Sequence, residues 1–213
     1  IGRNDISLSG RLENFIAYVF YDQTIKGQLN LSSGYLNLND FMSGEEVATE
    51  DTGEQTALSV IEIPKNIDFT LQAQLEELIY DKMQFANAKG VVKVQNGNIN
   101  IQNMAVDAFG GNMDVNGVYS TSNPKEPKVN MDLMINEVEF TSIFSQVGLL
   151  QSFAPILERA TGRFSTTLSF NTLLGQDMSP DLSSFSANGR LSTKSVGLSD
   201  VPALTALANG LKY

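Results

Sequence analysis

The chain has 213 residues, is 42% hydrophobic and carries a formal net charge of -10 from 24 acidic and 14 basic side chains. That composition excludes a disordered polymer and supplies enough apolar surface for a real core. The scattered Lys and Arg form no basic patch for nucleic acid or an anionic membrane surface. Cys, His and Trp are absent, which removes disulfides, thiolate metal sites, the commonest general base and the commonest transition-metal ligand; no cofactor is expected.

In chain order, the longest apolar run is Phe15 to Tyr21, seven residues, against the about 20 needed to span a bilayer. Its surroundings, Leu12 to Asp22, read equally as a strand or a short helix. The opening at Ile1 without a methionine leads us to expect a piece of a longer protein. From Gly27 onward the apolar residues alternate, Leu29 and Leu31, then Leu36 and Leu38, around a turn expected at Ser32–Gly34. Residues 43–57 hold five carboxylates and no basic residue and read as a mobile acidic loop. Their spacing does not fit a calcium loop.

Strict period-two alternation then dominates. Ile67, Phe69, Leu71, Ala73 and Leu75 form one face of a strand, as do Val129, Met131, Leu133 and Ile135, and later Phe164, Thr166, Leu168 and Phe170. We expect about eleven strands joined by Gly, Asn and Ser turns. Their polar face carries Asn, Gln, Ser and Thr more than Lys and Glu, as a solvated sheet face does. Two segments carry a helical period. In Thr141–Arg159 the residues Ile143, Val147, Leu150, Ala154 and Leu157 share a face, with Thr141 or Ser142 as N-cap and Pro155 kinking or splitting the helix. In Ser199–Leu211, Asp200 caps and Val201, Leu204, Leu207, Ala208 and Leu211 share a face.

A repeat runs through these strands. The residues after Gly27 (Leu29, Leu31, Leu36, Leu38, Phe41) and after Gly90 (Val92, Val94, Ile99, Ile101, Met104) fall at the same offsets, +2, +4, +9, +11 and +14. Gly189 leads a partial copy with Leu191 and Leu198. The odd step between +4 and +9 is read as a turn that returns the chain to the same face. Asn96-Gly97-Asn98 is a strong hairpin signal, and each leading Gly marks a bulge or a close backbone approach. One hairpin cannot bury its own apolar face, so neighbours must share a core. The fold expected is mainly β: a single domain over 1–213, an elongated, curved antiparallel sheet of repeated hairpins shaped like a trough, with two or three short helices packed on it.

The stretch NGNINIQNMAVDAFGGNMDVNGVYS, residues 96–120, resembles the C-terminal region of the AsmA family. The resemblance rests on Gly97, Ile99, Ile101, Met104, Val106, Phe109, Gly110, Gly111, Met113, Val115 and Gly117. It continues through NEVEF (136–140), TGRFSTTLSF (161–170) and ANGRLSTKSVGLSDV (187–201). The acidic insertion at 43–57 departs from the pattern. The resemblance implies a domain on the periplasmic side of the inner membrane of Gram-negative bacteria, anchored there by a helix outside this sequence and linked to outer-membrane assembly. Larger relatives form β-troughs proposed to convey lipid acyl chains. The implied partners are phospholipid or fatty acyl chains and envelope proteins, and the family carries no catalytic residues to transfer.

The residues themselves bear few marks of catalysis. There is no G-x-S-x-G elbow and no phosphate-binding loop, and Gly110-Gly111 reads as a tight turn. Glu76 with Glu77 would point to opposite faces of a strand; Glu137 with Glu139 would share one, beside a helix start that favours negative charge. A carboxylate-only hydrolase is therefore the last of three readings. The first is an apolar groove for lipid lined by Leu29, Leu31, Leu36, Leu38, Val92, Val94, Ile99 and Ile101. The second is a structural or adhesive envelope protein that recognises protein or glycan, in which the same residues form a core closed by the helices at 141–159 and 199–211.

Overall fold

A computed structural model describes residues 3–42, 59–148, 150 and 155–198. They form one ten-stranded, curved, open sheet that is mostly antiparallel. The strands are β1 (Ser7–Glu13), β2 (Ile25–Ser33), β3 (Leu36–Asn37), β4 (Ile67–Tyr80), β5 (Met83–Gln95), β6 (Asn98–Ala108), β7 (Gly111–Ser120), β8 (Lys128–Glu139), β9 (Ala160–Leu173) and β10 (Ser186–Leu198). Across the sheet they run β1-β2-β4-β5-β6-β7-β8-β9-β10, with β3 beside β4. Helices are α1 (Phe15–Tyr21), α2 (Asn39–Met42) and α3 (Phe140–Gln146), with a 3-10 turn at Pro155–Arg159. The expected acidic loop at 43–57 and helix at 199–211 lie outside the described residues.

The second repeat folds as its sequence predicts. Asn96 and Gly97 both take positive φ, 52° and 75°, and join β5 to β6 in a hairpin. Phe109 and Gly110 do the same between β6 and β7, at 53° and 77°, so Gly110-Gly111 belongs to a tight turn. A Cβ on Gly90 would stand 2.7 Å from Met104 Cα, at a shift in the β5–β6 register. This is the close approach its position implied.

The first and third copies correct the hairpin reading. β2 and β3 both run parallel to β4 in one continuous register, Ser33 opposite Leu75 and Leu36 opposite Leu78. The chain does not turn back at Ser32–Gly34. Gly34 lacks the positive φ that a two-residue hairpin needs. The Asp5 carboxylate instead accepts hydrogen bonds from Ser33 Oγ (2.9 Å) and the Tyr35 N–H (2.7 Å), holding the interruption open. In the third copy Leu191 and Leu198 lie on the single strand β10, with a register shift between Thr193 and Ser195. In both copies the odd step is an irregularity within one line of travel.

Similar slips recur at Asn87 (φ 54°) in β5, Asn103 (φ 49°) in β6 and Glu137 (φ 50°) in β8. The left-handed region suits Asn. At Glu137 the displaced N–H is satisfied by Ser165 Oγ, 3.1 Å away. Such bulges bend strands and increase twist, in keeping with the curvature of the sheet.

The main core lies at one end of the apolar face. Leu36, Leu75, Ala88, Val106, Met113, Ile135, Val138 and Phe164 are buried there beneath Phe140 and Ile143 of α3. The Phe140 and Phe164 rings lie 4.5 Å apart between centroids. Val147, Leu150 and Leu157 also pack on this core, which matches the predicted face. The helical segment is broken: α3 ends at Gln146, helical residues recur at Gly148 and Leu150, residues 149 and 151–154 (with Ala154 of the predicted face) lie outside the described residues, and Pro155 opens a separate 3-10 turn, as a residue without an N–H suits a first turn. Its N-cap is Glu139, not Thr141 or Ser142, and Ser142 Oγ donates back to Glu139 Oε2 at 3.2 Å. The ambiguous segment 12–22 resolves into the end of β1 followed by α1, in which only Ala17 and Tyr18 are half-buried and the rest are exposed.

Two outcomes follow from this architecture. Phe164→Ala should cost about 3–5 kcal/mol, read as a lower urea midpoint with an unchanged slope. The two donors to Asp5 hold its carboxyl below the ordinary value of 3.8. Its stabilising contribution is therefore present above that value and lost as pH falls through the lowered folded-state value. Urea unfolding between neutral pH and about pH 3 should show a shallower acid loss in Asp5→Asn than in the parent chain.

Candidate functional site

Sheet register places the predicted groove residues. Leu29, Leu71, Val92 and Ile101 stand side by side on neighbouring strands, followed by Gly117, Met131 and Phe170. The next row is Leu12, Gly27, Phe69, Val94, Ile99, Tyr119 and Val129. On the other side lie Leu8, Leu31, Ala73 and Gly90, then Met104, Val115, Leu133 and Leu168. Together these rows form an apolar floor crossing the sheet, roughly 30 Å from β2 to β9 at the usual ~4.8 Å strand spacing.

Leu31, Val92, Val94, Ile99 and Ile101 are half-buried, as are Phe69, Leu71, Met131, Leu168 and Phe170; Leu29 is buried. Leu36 lies within the α3-covered core, and Leu38 packs against it, as does Leu31 at the floor's border with that core. The eight predicted residues therefore divide between an incompletely covered floor and a closed end.

The end of the floor away from α3 is also covered, by a segment that sequence reasoning did not identify. Residues 59–64 form an irregular strap. Ser59 N–H donates to the Met42 carbonyl at 2.9 Å. Tyr119, on the floor, donates its hydroxyl to the Ile61 carbonyl at 3.0 Å. The Ile63 N–H donates to Thr121 Oγ1 at 2.8 Å, and that hydroxyl donates to the Gly97 carbonyl at 3.3 Å. Ile63 and Thr121 are both buried. Burial raises the Tyr119 phenol above its ordinary value, partly offset by its bond to Ile61. Met178, in the loop after β9, places its sulfur 3.8 Å from the same hydroxyl.

The opposite face is polar. An open depression of about 550 Å³ lies there, lined by Asn30, Ser32, Gln72, Gln74, Lys89 and Gln102 among others. It forms where Gly90 displaces the β5–β6 register, and Leu31, Ala73 and Gly90 of the floor's strands line it as well.

The carboxylate candidates are dispersed or paired with cations. Glu76 and Glu77 are both exposed. Glu137 Oε1 lies 3.2 Å from Lys194 Nζ, and Glu139 Oε1 lies 2.6 Å from Arg163 Nη2. Arg163 also donates to the carbonyls of Gly110 and Glu137, so it ties the β6–β7 turn to the β8 bulge. Among the described residues no group of three or more acidic side chains is placed to hold a metal ion. No protein-family model matches the chain, and no curated protein or solved structure matches it.

The strap yields a direct test. Thr121→Val keeps the volume but leaves the buried Ile63 N–H without its acceptor, at a cost of about 1–3 kcal/mol. Amide exchange at Ile63 should accelerate more than at the buried strand positions of the α3 end. Equal acceleration at both ends would mean that the strap does not open separately.

Proposed function

We propose that this chain is a non-enzymatic, AsmA-like periplasmic domain of a protein anchored to the inner membrane, and that it binds phospholipid or fatty acyl chains along its apolar floor. Its role on this reading is in outer-membrane assembly and envelope lipid homeostasis, alongside other envelope proteins. The observation that carries the proposal is the row of half-buried apolar residues between two covered ends. A sheet that needed only a core would gain by covering Val92, Val94, Ile99 and Ile101 fully, at about 25 cal/mol per Å². An acyl chain laid on that row would gain the same free energy, up to about 0.8 kcal/mol for each fully buried methylene. Recognition would come from shape and apolar area, which suits a chain without His or Cys.

Native mass spectrometry with organic extraction of the purified protein should reveal co-purifying phospholipid or fatty acid. Ile101→Gln, on the floor, should reduce the bound lipid several-fold. Val118→Gln, between Asn100 and Asn130 on the polar face, should not. If no lipid is retained and an apolar fluorescent probe fails to bind, the floor is not a lipid site.

The polar-face depression favours a second reading, recognition of a glycan or protein by amide and hydroxyl side chains. Stabilisation by added carbohydrate that is lost in Gln72→Ala, with no lipid retained, would select it.

A further inference from the structure

Helix α1 reads Phe-Ile-Ala-Tyr-Val-Phe-Tyr, with no charged residue from Phe15 to Tyr21. Phe15, Ile16, Val19, Phe20 and Tyr21 are exposed at 58%, 69%, 53%, 73% and 73%. Leu8 and Leu12 on the adjoining edge strand, and Ile6 just before it, are exposed as well. Most of the exposed large apolar side chains among the described residues therefore fall in one stretch, Ile6–Tyr21. The helix is held outward by polar contacts at its base. Asn14 Nδ2 donates to the Thr24 carbonyl at 2.9 Å, and Asn66 Nδ2 donates to Asp22 Oδ1 at 2.8 Å.

We propose that α1 is a docking element for the surface of a zwitterionic lipid bilayer. Three observations favour lipid over protein. The exposure is not confined to one stripe: at ~100° per residue, Phe15, Val19, Ile16 and Phe20 span an arc of about 140°, and Tyr21 stands on the far side. A helix that docks in a protein groove needs one apolar stripe and keeps the rest polar. The area is also small. Seven residues make a helix of about 10 Å, and two copies packed through it would bury only a few hundred Å², against the roughly 1,200 Å² of a stable complex. Finally, the charge selects the lipid. A chain of net charge -10 is repelled by an anionic surface, whereas an uncharged helix with Tyr18 and Tyr21 suits a neutral interface, where such rings sit at headgroup level.

The helix is too short to cross a membrane, so it enters only the interface. Leu12 links it to the floor: a Cβ on Gly27 would lie 3.0 Å from Leu12 Cδ2 and 2.9 Å from Phe69 Cδ1. Docking through α1 does not require lipid on the floor.

The chain has no tryptophan, so Phe20→Trp supplies a unique reporter. With phosphatidylcholine vesicles its emission should move to the blue and the protein should float with the vesicles. Replacing half of the phosphatidylcholine with phosphatidylserine should weaken both. Adding Ile16→Ser and Val19→Ser should lower partitioning roughly tenfold or more, with an unchanged melting temperature because both side chains are exposed. No blue shift with vesicles overturns the proposal, as does a shift that the serine variants leave intact. A blue shift that grows with protein concentration in the absence of vesicles also overturns it, in favour of a second copy of the chain. Lipid retained on the floor is measured separately, by extraction from vesicle-free protein, so either idea can fail alone.

Discussion

A β-strand keeps its apolar residues on one face only while its alternation stays in phase, and a slip of one residue sends everything beyond it to the other side. This chain slips phase repeatedly. The apolar positions change parity between Leu31 and Leu36, Leu75 and Leu78, Phe85 and Ala88, Ile101 and Met104, Ile135 and Val138, and Leu191 and Val196. At these places the ladder carries an interruption, a register shift or an unpaired position. The irregularity absorbs the slip and keeps the apolar side chains together. Had the strands stayed regular, the residues of the α3-covered core would have faced away from the floor. The two belong to one surface because the strands bulge between them.

That arrangement explains why the two ends of the apolar face differ. On the α3 side the bulges bring Val106, Ile135, Val138 and Phe164 under a helix, and Val138 loses all contact with solvent. Arg163 and Glu139 lock the same corner with groups that are 40–48% exposed. Such a pair contributes less than about 1 kcal/mol, so its main role is to satisfy the carbonyls that the β8 bulge and the Gly110 turn leave over. At the other end, cover comes from a strap with no regular structure, held by the hydroxyls of Tyr119 and Thr121. Few buried apolar contacts and individual side-chain hydrogen bonds are the marks of a region that opens locally before the rest unfolds.

The sheet was legible from sequence because period two leaves a strong mark, and the Asn96-Gly97 hairpin was legible because its turn requires residues that accept positive φ. The parity change was visible too, but it has two physical solutions. A turn and a bulge both restore an apolar face after an odd step. Ser32-Ser33-Gly34 was assigned to the turn, whereas the chain carries on past an interruption in the same register along β4. What decides between them there is Asp5, about thirty residues upstream, and no local pattern reveals that a distant carboxylate will occupy the interruption. The parallel pairing of β2 with β4 was hidden for the same reason. The floor residues could be named from their alternation, yet the division of Leu36 and Leu38 from Val92 and Ile101 depends on where α3 and the strap come to rest.

Helix α1 shows the same limit from the opposite direction. Its seven-residue apolar run stands out in the sequence, and burial is the ordinary expectation for such a run. Here the segment follows β1, the last strand on that side of the sheet, so no neighbouring strand of the described chain is available to receive it. Asn14 and Asp22 both adopt left-handed backbone at its ends, and Asn14 and Asn66 hold its base. Folding it back would not free the sheet of exposed apolar surface, since Leu8 and Leu12 occupy the same edge. The uncovered surface is thus a consequence of topology: the floor runs out to an edge, and the most apolar segment of the chain is placed just past it.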